Sequence, residues 1–232
     1  MKTSAAKRSR RAARRKIPQV LITAGPTREY FDSVRFISNA SSGKMGSELA
    51  KAFIAKKTRV TVVAGPCAAM FPSEAGIVRV VSASQMLAAV KKLANAADII
   101  VCAAAVSDYA PSLKASGKLK KNKTGLSVEL SITPDILASI GAKKYAAGKR
   151  PVIVGFALET AKRLLSDARK KLTQKRCDIV VANTTGAMEA DRASGMILFD
   201  DGRISRFNNI PKKKLAANAA MEALKIWSKK NC

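Results

Sequence analysis

Short apolar runs that stop at glycine or proline alternate with amphipathic stretches along most of the chain, and this alternation limits the possible folds more than any other feature. Ile17–Ala24 (IPQVLITA) is rich in β-branched residues and halts at Gly25-Pro26, which predicts a first strand. Ser41-Ser42-Gly43 then leads into Lys44–Lys56, where Met45, Leu49, Ala52 and Phe53 share a helical stripe. Arg59–Ala64, closed by Gly65-Pro66, and Ile77–Val81 read as further strands, followed by a Ser82/Ser84-capped helix to about Ala97. Asp98–Ala105 (DIIVCAAA) is apolar without alternation, as expected of a strand covered on both faces.

The rhythm breaks at Pro111–Leu130, a polar segment carrying Lys114, Lys118, Lys120, Lys121 and Lys123. It resumes with a helix from Pro134 to about Lys144, a strand over Pro151–Ala157, an amphipathic helix over Thr160–Lys175 and a strand over Asp178–Asn183. Met196–Phe199 and Arg203–Phe207 flank the turn signal Asp200-Asp201-Gly202, and Pro211 opens a last helix reaching Trp227. Repeated strand–helix–strand units predict the α/β class: a doubly wound, mostly parallel Rossmann-like sheet with a Lys-rich flap and a C-terminal β-hairpin. In such sheets ligands bind beyond the carboxyl ends of the strands, here the loops at Gly25–Asn39, Ala105–Asp108, Gly155–Glu159 and Asn183–Gly186.

Composition then narrows the chemistry. The 232 residues include 43 Lys+Arg, 16 Asp+Glu and no His, a net charge of +27. Without His, Ser-His-Asp and Cys-His catalysis, imidazole metal ligands and a His pH switch are excluded, and the basic surplus points to anionic partners. The dispersed Cys67, Cys102, Cys177 and Cys232 form no CxxC pair, which suits a reducing, cytoplasmic compartment. No apolar stretch nears the roughly 18 residues of a membrane span. Residues 1–16 hold eight Lys/Arg and no acid, and read as a flexible basic tail or an acid-free targeting segment; residues 17–232 read as one domain. The tail is expected to touch polyanions non-specifically, but 5% aromatic residues and the lack of a nucleic-acid motif disfavour a dedicated nucleic-acid binder. A dinucleotide reductase is disfavoured as well, because no GxGxxG follows the first strand and no acid closes the second.

Four features could carry phosphate chemistry, and each has a plain alternative. Ser41-Ser42-Gly43-Lys44-Met45-Gly46 feeds a helix N-terminus suited to phosphate, yet it matches neither GxxxxGK[ST] nor GxGxxG and is equally a bare turn. The Lys118–Lys123 run is a lid over a polyphosphate or a solvated loop. Lys171 and Lys175 share a helix face, which by itself suggests a wetted surface. Asp108 is a Mg²⁺ partner or a helix N-cap, and spacing assigns nothing to Arg35 and Asn39.

Taken in order, LITAGPTRE, DSVRFISNASSGKMG, VTVVAGP, AAAVSDY, KLKK, TPDIL, VGFALET and DIVVAN resemble phosphopantothenoylcysteine synthetase over about residues 18–210, and SNxSSGKMG is the most specific of them. The resemblance implies a ligase that joins 4′-phosphopantothenate to cysteine through an acyl-nucleotide, releasing pyrophosphate, with CTP favoured over ATP and with Mg²⁺. It assigns Asn39, with Arg35 nearby, to the phosphopantothenoyl group and the intermediate, and Ser42, Gly43, Lys44 and Gly46 to a helix start facing phosphates. Ala105 and Asp108 fall to the nucleotide, Asp108 also to its cation, and Lys118 and Lys120 to a flap reaching the phosphates. Pro134, Asp135, Ile136, Leu137 and Phe156 would frame base and ribose, and Lys171 and Lys175 would complete the site. A homodimer paired partly through the flap is implied, as is a separate chain for the preceding decarboxylation, since only a basic tail precedes the first strand. Tyr30-Phe31 departs from the family's Pro-Ile type pair, and Asp191–Gly195 departs from its Ser-Asp-x-Asn segment, so no role is assigned there.

Overall fold

The computed structural model describes residues 17–121, 125–143, 145, 150–187 and 190–231. The first half runs β1 (Gln19–Ala24), β2 (Arg28–Tyr30), β3 (Phe36–Ser38), α1 (Lys44–Ile54), β4 (Arg59–Ala64), β5 (Gly76–Arg79), α2 (Ala83–Leu93) and β6 (Ile99–Cys102). The second half runs β7 (Tyr109–Pro111), β8 (Leu130–Ile132), α3 (Ile136–Ala142), β9 (Val152–Glu159), α4 (Leu164–Gln174), β10 (Ile179–Thr184), a 3₁₀ turn, β11 (Arg192–Phe199), β12 (Ile204–Pro211) and α5 (Lys212–Lys230).

Eight of these strands form one sheet in the order β12-β11-β10-β9-β6-β1-β4-β5. From β5 to β10 every pairing is parallel, and the β11–β12 hairpin extends the sheet antiparallel. Counted along the chain, the six parallel strands lie in the order 3-2-1-4-5-6, the doubly wound arrangement that the alternation predicts. The winding reverses between β1 and β6, where a crevice must open at the carboxyl edge.

Alternation within each strand sorts its apolar side chains to two covered faces. Val20, Ile22, Val62, Val154 and Val181 pack with Leu49 and Phe53 of α1 and Leu215 and Ala219 of α5. Leu21, Val63, Ile100, Ile153 and Val180 pack with Met86 and Val90 of α2, Ile136 and Ile140 of α3, and Leu164 and Ala168 of α4. Each fully buried aliphatic chain contributes about 1.5–3 kcal/mol. Gly46 lets α1 approach β1, since a Cβ there would lie 2.3 Å from the Ala24 Cβ. Ser82 and Gln85 form a capping box that starts α2, while Ser84 only shares a hydroxyl contact with Ser82.

Several boundaries move for local reasons. The helix expected from Pro134 begins at Ile136 because Asp135 takes an extended conformation and caps it, accepting from the Ala138 amide at 2.7 Å. The helix expected from Thr160 starts at Leu164, after a turn in which the Arg163 amide donates to the Thr160 carbonyl. The strand expected through Ala105 ends at Cys102 because the chain turns to bridge Pro26. The hairpin arms run longer than expected, and Asp191–Gly195 mostly joins β11 through a bulge between Ala193 and Gly195. The ribbons β2–β3 and β7–β8 are built from three-residue strands, too short to show a period in the sequence. The basic tail, Lys123, Lys144 and Cys232 lie outside the described residues. No helix among the described residues is long and apolar enough to cross a membrane.

Candidate functional site

A cleft of about 670 Å³ opens at the carboxyl edge where the winding reverses, with Thr23 of β1 and Cys102 of β6 on its floor. The loop after β3 ends in Gly43, which caps α1 in the left-handed region at φ 77° and offers no side-chain hydrogen bond. A Cβ on Gly43 would meet the Cys67 Sγ at 2.6 Å, so both the backbone and the space require glycine. No acid occupies the first turn of α1, and its positive end faces the cleft, which favours an anion over the bare-turn alternative. Lys44, the first residue of α1, forms an ion pair with Asp191 at 2.8 Å. That pair holds the Asp191 carboxyl below its ordinary range.

Asn39 borders the same cleft, and its Nδ2 donates to the carbonyls of Val106 at 2.9 Å and Ala105 at 3.3 Å. The amide thereby ties the segment after β3 to the loop after β6. Asp108 is exposed on the cleft wall and caps no helix, because β7 follows it. Its backbone carbonyl accepts from the Thr133 amide at 2.9 Å and anchors the segment leading to α3.

On the far wall the chain brings together residues distant in sequence. Pro134, Asp135, Ile136 and Leu137 lie beside Lys171 and Lys175 on this wall, while the Phe156 side chain packs on the other side of the sheet, under α1 and α5. Lys175 Nζ lies 2.6 Å from Asp135 Oδ2, and Lys171 Nζ donates to the Phe156 carbonyl at 2.9 Å. Burial pushes the Asp135 carboxyl up, but the Ala138 amide and the two lysines outweigh it and hold the group below its ordinary range. The shared face of Lys171 and Lys175 is therefore a half-buried wall of the cleft and not a wetted surface. Cys102 and Cys177 sit against this wall, and burial pushes both thiols up to about 12, away from nucleophilic duty.

Arg35, Lys118 and Lys120 do not line the cleft. Arg35 is turned to the flap, where Nη2 donates to the Leu119 carbonyl at 3.3 Å, while Asp32 Oδ2 accepts the Leu119 amide at 3.2 Å. Lys118 and Lys120 are exposed on either side of this anchored residue. The remaining residues expected at the site, Ser42, Gly43, Lys44, Gly46 and Ala105, all border the cleft. Two residues that the sequence reading left without a role join them: Lys212 at the start of α5, and Asn183 near the end of β10. The available signal for Asn183 was a polar residue closing the apolar run DIVVA at the carboxyl edge.

Comparison with known proteins agrees with this architecture. Residues 16–226 match the DNA/pantothenate metabolism flavoprotein C-terminal domain. Coenzyme A biosynthesis bifunctional protein CoaBC of Mycobacterium bovis is 40% identical over 217 residues, covering 89% of this chain and 51% of the relative. The chain thus spans about half the length of the curated relatives it matches. These relatives are named as bifunctional, which runs against the expectation of a separate chain for the preceding step. Among solved structures, the C-terminal domain of CoaBC superposes with a TM-score of 0.77 at 30% identity, covering 91% of this chain and 96% of that one. A Cab2 mutant in complex with phosphopantothenate-cysteine shares the fold, with a TM-score of 0.75 at 18% identity over 92% of this chain and 88% of that one. By sequence and by fold, the chain belongs to the DNA/pantothenate metabolism flavoprotein C-terminal domain family.

Proposed function

We propose that this cleft joins 4′-phosphopantothenate to cysteine at the expense of a nucleoside triphosphate, with CTP as the preferred nucleotide. The observation that carries the reading is the meeting, in one cleft, of the open N-terminus of α1 with Asn39 and with the Asp135–Phe156–Lys171–Lys175 wall. A positive helix end and two lysines suit a polyphosphate, while Leu137 from the α3 side of the sheet and Phe156 from the α1–α5 side each offer apolar surface to a base. A relative named for coenzyme A biosynthesis and a similar structure in complex with phosphopantothenate-cysteine support the ligase part of this reading.

In the first step the substrate carboxylate attacks the α-phosphorus and pyrophosphate leaves, forming an acyl-nucleotide. The amine of cysteine then attacks the acyl carbon, the nucleoside monophosphate departs, and the amine proton is lost to solvent. Charge shift toward pyrophosphate is the main obstacle, so Lys171, Lys175 and the amides of α1 are the groups expected to lower the barrier. Asn39 would hold the acyl-nucleotide between the loops after β3 and β6. Lys118 and Lys120 would close on the phosphates as the flap around Leu119 shifts.

No cluster of three His, Cys, Asp or Glu fit to hold a metal occurs among the described residues. The exposed carboxylate of Asp108 nevertheless fits Mg²⁺, which is usually held by one or two carboxylates together with substrate phosphates. When bound with the nucleotide, Mg²⁺ would neutralise phosphate charge beside Asp108. The β7–β8 ribbon leaves Tyr109, Leu130 and Ile132 exposed, with Leu113 exposed just beyond β7, an apolar face suited to a second copy of the chain.

The test is pyrophosphate release by purified protein with Mg²⁺, 4′-phosphopantothenate and CTP or ATP, with and without cysteine. Sustained release requiring both phosphopantothenate and cysteine, and faster with CTP, is expected. Absence of release from folded protein with either nucleotide would remove the ligase reading.

A further inference from the structure

The parallel strands all begin at the edge of the sheet opposite the cleft, and α1, α2, α4 and α5 all end there. The connections that surface at this amino edge are cationic. Lys56 and Lys57 follow α1, Arg59 opens β4, Lys92 closes α2, Arg176 follows α4 and Lys229 closes α5. These side chains are exposed, and none is ion-paired to a described residue.

Most acids at this edge are already engaged. Asp178 is buried and accepts from Arg150 at 3.1 Å, from Lys230 at 2.5 Å and from the Ile153 amide at 2.7 Å. Asp98 accepts the Gln19 amide at 2.9 Å, and Asp201 accepts from Arg203 Nε at 2.8 Å. Asp200, at the same hairpin turn, is exposed and has no ion pair among the described residues. The amino edge therefore keeps a surplus of free positive charge.

Helix dipoles favour cations at C-termini, which accounts for Lys92 and Lys229. They do not account for Arg59 at the start of a strand, nor for two positions where a side chain is strained. Lys57 and Arg176 lie in the left-handed region, at φ 59° and 50°. Arg176 stands in the turn that closes α4, where its amide donates to the Thr173 carbonyl and the Cys177 amide to the Leu172 carbonyl. Glycine ordinarily occupies that position. Residues held in such conformations at a cost cluster at functional positions.

Charge and shape define the partner. The six parallel strands, about 4.8 Å apart, make an edge about 24 Å long. Over that length a nucleic-acid duplex carries about 14 phosphates, one charge per about 1.7 Å. Ile17 is the one large apolar side chain exposed at this edge among the described residues, and no aromatic is exposed beside it. The edge thus offers neither a membrane anchor nor a platform for unpaired bases. The Pro18 carbonyl accepts the Arg59 amide at 3.0 Å, so the described chain starts at the same edge, and the sequence ahead of it carries eight Lys/Arg in residues 1–16.

We infer that the amino edge of the sheet is a docking surface for the sugar–phosphate backbone of a nucleic-acid duplex, bound without regard to sequence while the cleft on the opposite edge stays open. The inference does not depend on the ligase reading.

The experiment is fluorescence anisotropy of the full chain with a labelled duplex of about 20 base pairs, at salt concentrations between about 50 and 200 mM. The logarithm of affinity should fall linearly with the logarithm of salt. Lys57→Gly combined with Arg176→Gly should weaken binding at least about fivefold at the lowest salt and shrink the slope by about 2. Its Tm should hold or rise by a few degrees, because glycine relieves the left-handed strain. Lys162→Gln combined with Lys214→Gln removes the same charge from exposed positions at the start of α4 and α5, near the other edge, and should move the slope by less than about 0.5. Arg59→Gln combined with Lys229→Gln carries the same test should the glycine pair unfold. Equal losses in the edge pair and the control pair, or an unmoved slope in the edge pair, would overturn the inference, binding then belonging to net charge or to residues 1–16. Tighter binding to phosphatidylserine vesicles, or to a single strand of the same length, would overturn it as well.

Discussion

Arg35 reaches across 84 positions of sequence to hold Leu119, its Nη2 donating to the Leu119 carbonyl at 3.3 Å. Asp32 completes the grip by accepting the Leu119 amide, so the Lys-rich flap is fastened at its middle to the loop after β2. Burial alone would raise the Asp32 carboxyl, but the amides of Val34, Arg35 and Leu119 and the Arg35 charge together hold it below its ordinary value of 3.8. A depressed carboxyl stabilises the folded form above its unfolded pKa and loses that contribution as pH falls through the folded value. The clasp should therefore be intact at neutral pH and weaken only below about pH 4. Asp32→Asn is expected to free the flap at pH 7, read as faster tryptic cleavage after Lys118, Lys120 or Lys121. Cleavage at the unmodified rate would show that Asp32 does not fasten the flap.

Lys171 and Lys175 form the cationic wall, and replacing either with Met tests whether it meets phosphate. Loss of one charge-assisted contact is expected to raise KM for the nucleotide about tenfold, equivalent to roughly 1.4 kcal/mol. The Lys175–Asp135 pair is partly exposed and should contribute under about 1 kcal/mol to stability, so Tm should fall by no more than about 4 °C. A collapse in Tm with unchanged KM would mark these lysines as structural.

Asn39→Asp nearly preserves shape but removes the Nδ2 donor that serves Ala105 and Val106, and adds a negative charge at the cleft lip. Turnover is expected to fall at least about a hundredfold with the circular dichroism spectrum unaltered. Activity close to that of the unmodified chain would take Asn39 out of the site.

Gly46→Ala tests the approach of α1 to β1. The added methyl would lie 2.3 Å from the Ala24 Cβ, and relieving such a clash costs about 1–3 kcal/mol, more than the roughly 1 kcal/mol that alanine gains in helix propensity. Tm should drop by a few degrees, and an unchanged or raised Tm would mean that the helix and strand do not touch there.

Most of the fold was legible because period carries it. Continuous apolar runs such as Val20–Ile22 and Ile99–Val101 can be buried only between two helical layers, and the stripe of Leu49 and Phe53 can face only a sheet. The cleft's place followed from topology, since a reversal in strand order leaves a gap at the carboxyl edge whatever the side chains are. Motif resemblance then named Asn39, Asp108 and Asp135, residues that the structure brings to that gap.

By itself, then, the sequence determined the α/β class, the parallel strands and the loops that ring the cleft, because these depend on local periodicity and chain order. Only the tertiary structure decided that Lys171 and Lys175 turn inward onto the Phe156 carbonyl and Asp135, and that Arg35 serves Leu119. Those outcomes depend on contacts between segments dozens of residues apart, and neither spacing nor composition encodes which distant backbone group a side chain will meet.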